Sequence, residues 1–119
     1  MKYVLLIQQG DTPVPGSEAW EQLSGSEQQT IYADYAAINQ TPGVTPSEHW
    51  LEHPALATTV RVEDGKTLTT DGPFVAVKEA LGGWLVFEGD DLDAAIEVAS
   101  RIPAARLGGA VEVRPVKEA

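Results

Sequence analysis

Residues 3–7 (Tyr3, Val4, Leu5, Leu6 and Ile7) form an apolar run with no polar break. Such a run predicts a strand covered on both faces. Trp84, Leu85, Val86 and Phe87 repeat that pattern inside a second predicted strand, over 83–88. Between 55 and 62 the pattern changes to alternation, with Leu56, Thr58, Val60 and Val62 on one face. Asp64 and Gly65 then make a two-residue hairpin turn, and 67–70 is the return strand, ending at Asp71. Val111 and Val113 alternate with Glu112 and Arg114 in a last strand that Pro115 ends.

Helical spacing appears in two places. Ser24 and Glu27 have capping-box spacing, and Ile31, Tyr35 and Ile38 recur at the helical period after them. Pro42 and Gly43 stop that helix. A shorter turn over 17–23 carries Trp20. Asp90 and Asp91 open a second long helix, where acids suit the positive end of the dipole. Its predicted buried stripe is Leu92, Ala95, Ile96 and Ala99; Arg101 suits its end and Pro103 stops it. Residues 10–16 read as a loop, 41–54 as an irregular stretch holding both histidines and Trp50, and 74–81 as a connection with room for a helical turn.

The order is strand, helix, strand, strand, strand, helix, strand. With the two strands of the hairpin read as one bent element, it predicts an α+β, ferredoxin-like βαββαβ domain over 1–119, an antiparallel sheet with its helices on one face. Two helices cover only one side of such a sheet, so the doubly apolar strands leave a second apolar face. Leaving that face in water is costly at about 25 cal/mol per Å². The simplest cover is a second copy packed sheet to sheet, and a homodimer is expected.

Charge narrows the partners. The chain has 119 residues, 18 acidic against 8 basic, and a formal net charge of −10. That excludes nucleic acid as a direct partner, since phosphate binding needs a basic surface, and it disfavours an anionic membrane. The apolar run at the N-terminus is too short for a signal segment or a membrane span. There are no cysteines, which fits a reducing cytoplasm and removes thiolate metal sites. No nucleotide-binding, nucleophile-elbow or zinc-protease motif is present, so no cofactor and no metal site are expected.

The candidate chemistry gathers at Thr70, Asp71, Gly72, Pro73 and Phe74, with Lys78, Glu79, Gly82 and Gly83 behind them. Gly72 and Pro73 end the ladder, so Asp71 stands at a strand end. Such a carboxylate serves either as a general base in a cleft or as a turn residue that binds backbone amides. Lys78 and Glu79 either bias Asp71 and a ligand or form a solvated pair. Arg61 either pairs with an acid across the sheet or faces a substrate anion. His49 and His53 are four apart, but Pro46 and Pro54 limit any helix between them, so a metal pair is disfavoured and a single histidine acting with Asp71 is preferred.

These blocks resemble the DGPF-domain branch of the YciI-related family. The matching residues include Ala57 to Val62, Asp64 to Thr67, Thr70 to Phe74, Lys78-Glu79, Leu81 to Trp84, Asp91 to Ala95, Arg101 to Ala104 and Gly109 to Pro115. The resemblance implies a ferredoxin-like fold that dimerises as an α+β barrel, and a functional link to extracytoplasmic-function sigma factors. YciI-like relatives carry a His–Asp pair in a cleft, with the histidine on the first helix. Asp71 matches the aspartate, whereas no histidine lies between 24 and 39; His49 and His53 both lie in the loop that follows, either one a partner for Asp71, and His49 is taken as the candidate. The expected site is therefore Asp71 and His49 as catalytic residues, with Phe74, Lys78, Glu79 and Arg61 contacting substrate. The expected function is proton transfer on a small organic molecule; the alternative is a non-catalytic ligand-sensing or interaction module tied to sigma-factor regulation.

Overall fold

A computed structural model describes residues 1–47, 49–74 and 81–117. Among the described residues six strands and three α-helices follow in the order β1 (Lys2–Gln8), α1 (Glu18–Glu21), α2 (Gly25–Asn39), β2 (Val44–Pro46), β3 (Thr58–Glu63), β4 (Lys66–Asp71), β5 (Leu81–Glu88), α3 (Leu92–Ser100) and β6 (Ala110–Pro115). Short 3₁₀ turns occupy Pro54–Leu56 and Pro103–Ala105. No helix among the described residues is long and apolar enough to cross a membrane.

The main sheet has the order β2-β5-β1-β6, and every pairing in it is antiparallel. Counting only these four strands in chain order, this is the ferredoxin-like arrangement, and the α+β expectation holds. One assignment changes. The second strand of the fold is not in the hairpin; it is β2, three residues inside the stretch read as irregular. Its shortness hides it, and so does Pro46, which lacks a ladder donor and fits only because β2 is an edge. The β3–β4 hairpin forms a separate two-stranded sheet inserted between β2 and β5.

Local signals set the helix ends. The Ser24 hydroxyl accepts from the Glu27 amide at 3.0 Å, and the Glu27 carboxylate accepts from the Ser24 amide at 3.0 Å, completing the capping box. That bonding to Ser24 also holds the Glu27 carboxyl below its usual range. The Asp91 carboxylate accepts from the Ala94 amide at 2.9 Å and starts α3. At the hairpin tip Asp64 and Gly65 both have positive φ, 50° and 75°, as a type I′ turn requires.

The core lies between the sheet and the two long helices. On β1 the side chains of Tyr3, Leu5 and Ile7 are buried, and on β5 those of Leu85 and Phe87. They pack with Ile38 of α2, with Ala95, Val98 and Ala99 of α3, and with Ile102 and Ala104 beyond it. The buried stripe of α3 is thus turned from the expected one: Leu92 and Ile96 are each 48% exposed, and Val98 is 2% exposed. Ile102, Pro103 and Ala104 are themselves buried, and this anchors the helix on its Val98 side. The other face of the sheet carries Val4, Leu6, Trp84 and Val86, all half-buried and uncovered by any helix among the described residues.

Two outcomes are expected in urea denaturation. Leu5→Ala should cost about 3 kcal/mol, because the side chain is fully enclosed. Val98→Ala should cost about 2 kcal/mol while Ile96→Ala stays within about 0.5 kcal/mol. The reverse order for the last pair would restore the stripe through Ile96.

Candidate functional site

Asp71 ends β4 opposite Thr58, at the base of the hairpin. The turn after it is bound to the neighbouring strand and not to Asp71. The Gly72 amide donates to the Ala57 carbonyl at 2.7 Å, and the Thr59 hydroxyl donates to the Gly72 carbonyl at 2.7 Å. Gly72 has φ of 97°, a conformation that a side chain would strain. The exposed Asp71 carboxylate accepts no hydrogen bond and joins no ion pair among the described residues. By contrast Ser17, Ser24, His53 and Asp91 each accept a backbone amide at a helix start. The charge of Asp71 is left available.

Arg61 and Phe74 meet, with the guanidinium carbon 5.9 Å from the ring centroid. A cation over a ring at an exposed position contributes about 0.5–1 kcal/mol. The acid partner of Arg61 is Glu63, at 3.0 Å, two residues along the same strand. A cross-strand acid was expected, but the register puts Leu68 opposite Arg61. Alternation also separates the group. Asp71, Thr58, Val60 and Val62 share one face of the hairpin, and Thr59, Arg61, Glu63 and Leu68 share the other. Lys78 and Glu79 lie outside the described residues.

The side chain of His53 has a local structural role. His53 Nδ1 accepts from the Ala55 amide at 3.1 Å and caps the 3₁₀ turn at Pro54. That bond requires Nδ1 unprotonated. His49 is exposed, and its carbonyl accepts from the Ser47 hydroxyl at 2.9 Å. No hydrogen bond or ion pair joins Asp71 to either histidine among the described residues. No group of three or more His, Asp or Glu side chains there is arranged to hold a metal.

A feature that pattern reading passed over is the seat made by Gly82 and Gly83. A Cβ on Gly83 would lie 2.8 Å from the Trp50 ring, and one on Gly82 would lie 2.3 Å from the Gln9 side chain. The Leu51 amide donates to the Gly82 carbonyl at 2.9 Å. The segment leading to the hairpin is therefore clamped onto β5 where β5 has no side chains. Trp50 also meets Tyr35 of α2 edge-on, with centroids 5.0 Å apart. Burial pushes the Tyr35 phenol up to about 12, against a smaller opposing pull from the Arg106 guanidinium. The consecutive glycines at the start of an otherwise bulky strand are the signal that marks this seat.

A surface depression of about 460 Å³ is lined by Lys2, Gly43, Val44, Thr45, Val86 and Glu88. It lies at the β2 edge and includes none of the residues expected from the sequence.

A sequence model of the YCII-related domain matches this chain over residues 1–119. No curated protein matches it.

Gly83→Ala should displace Trp50, shift tryptophan emission to the red and cost about 1 kcal/mol. In a Trp50→Ala background that cost should vanish, because the clash has gone; an undiminished cost would place the strain in the backbone. Tyr35 gives a pH signature. Its folded value of about 12 exceeds the unfolded 10.0, so the folded state holds the proton more tightly. Stability should therefore fall as pH rises from about 10 to about 12, and Tyr35→Phe should remove that part of the slope in melts across the range.

Proposed function

The chain belongs to the YCII-related family, and on that premise we propose a small cytoplasmic homodimer that acts on a small organic molecule by proton transfer, with Asp71 as the base. The carrying observation is the Asp71 carboxylate: it stands at a strand end in a turn whose own amide and carbonyl are satisfied elsewhere. A turn-forming aspartate would bind the backbone it organises; this one does not, which favours a role toward a ligand. Phe74 and Arg61 meet each other, but Arg61 stands on the opposite hairpin face from Asp71, so this aromatic and cationic pair is a separate surface from the Asp71 anchor. The second copy covers the open face of Val4, Leu6, Trp84 and Val86.

A second reading has its own support. No second titratable side chain is bonded to Asp71 among the described residues, and proton transfer needs a partner acid or base. This favours a non-catalytic ligand-sensing module, which the family resemblance would link to sigma-factor regulation. In both readings Asp71 is the charged anchor.

Asp71→Asn separates anchor from architecture. The amide keeps the size and can still form a turn, so stability should shift by no more than about 1 kcal/mol. Binding of any hit from a small-molecule thermal-shift screen should weaken at least tenfold. Turnover of that hit by the wild type, absent in the variant, supports proton transfer; binding without turnover supports sensing. Unchanged binding in Asp71→Asn would remove Asp71 from the site.

A further inference from the structure

The hairpin is exposed in a way that a finished surface is not. Every residue from 58 to 71 except Thr59 is exposed, including Val60 at 59% and Val62 at 66%. Its two strands pair with each other and with no strand of the main sheet. An isolated two-stranded hairpin is marginal in water, and one with a β-branched apolar face needs a third layer. The whole chain carries the mark of that missing layer. Its radius of gyration is 16.1 Å, against about 13.5 Å for a compact domain of this length. Its accessible surface is 8049 Å², against roughly 6,200 Å² for a compact monomer of this mass. The excess, roughly 1,800 Å², falls within the range that one chain of an obligate homodimer buries.

Charge says which surfaces two copies can share. A chain of net charge −10 repels its own copy across most of its surface. The hairpin carries Arg61 and Lys66 against Glu63, Asp64 and Asp71, a net of −1, and the open sheet face carries Lys2 and Arg114 against Glu88 and Glu112, a net of zero. Nearly all of the surplus charge lies elsewhere.

We propose that the β3–β4 hairpin is an arm whose Val60–Val62 face is buried on a second copy of this chain, as one continuous interface with the open sheet face. This rests on the dimer proposed above and extends it. Asp71 and Thr58 share a face with Val60 and Val62. Docking of that face brings Asp71 against the second copy, so the candidate site is completed by two chains. The missing second group beside Asp71 then comes from the other copy, and two-fold symmetry makes each contact twice.

Sedimentation equilibrium on the full chain tests this. The wild type should weigh twice 12.7 kDa at micromolar concentration. The Val60→Lys/Val62→Lys double variant should dissociate at least tenfold more readily, with its far-ultraviolet circular dichroism retained. Val60→Thr/Val62→Thr, which keeps β-branching and hence strand propensity, should weaken association severalfold. Leu68→Lys, on the opposite hairpin face, should leave it unchanged. A wild-type dimer that both valine variants leave intact overturns the arm and preserves a dimer through the sheet face. A monomeric wild type overturns both.

Discussion

The fold depends on one constraint: the inward side chains of β1 and β5 must be covered. Tyr3, Leu5 and Ile7 alternate inward on β1, and Leu85 and Phe87 do so on β5. These strands are central, each paired on both sides, so the backbone groups are satisfied and the side chains decide what packs above. Ile38 brings α2 down on them, and Ala95, Val98 and Ala99 bring α3. Small residues on α3 allow close approach, and the bulk comes from the sheet. Everything else hangs on this layer, including the edge strands β2 and β6 and the position of the hairpin.

The hairpin takes its place by a different route. Its own pairing is local, set by the Asp64-Gly65 turn and alternating β-branched residues. Its attachment is not local. The incoming chain is clamped where Trp50 lies on Gly83 and where Leu51 bonds Gly82. The outgoing turn is tied to β3 through Thr59 and Ala57. The result is a hydrogen-bonded base with Asp71 beside it, carried on strands that bury little of themselves. A carboxylate placed this way costs the fold little, because no backbone group among the described residues depends on it.

The local devices were legible from residue types alone. The capping box at Ser24 and Glu27, the Asp91 cap, the type I′ turn at Asp64 and Gly65 and the run of β5 all follow from chemistry within a few residues of chain. The ferredoxin-like class followed from their order. Tertiary structure alone decided the rest. It chose the three-residue β2 as the fold's second strand, because a short edge containing Pro46 becomes a strand only when β5 lies beside it. It turned α3 toward Val98, because the buried residues after the helix fix its rotation. It split Asp71 from Arg61, since side-chain alternation depends on register across two strands. It gave Gly82 and Gly83 their purpose, since only the folded chain brings Gln9 and Trp50 over them. What depends on neighbours in the chain can be read from the chain; what depends on neighbours in space needs the packed layers that bring them together.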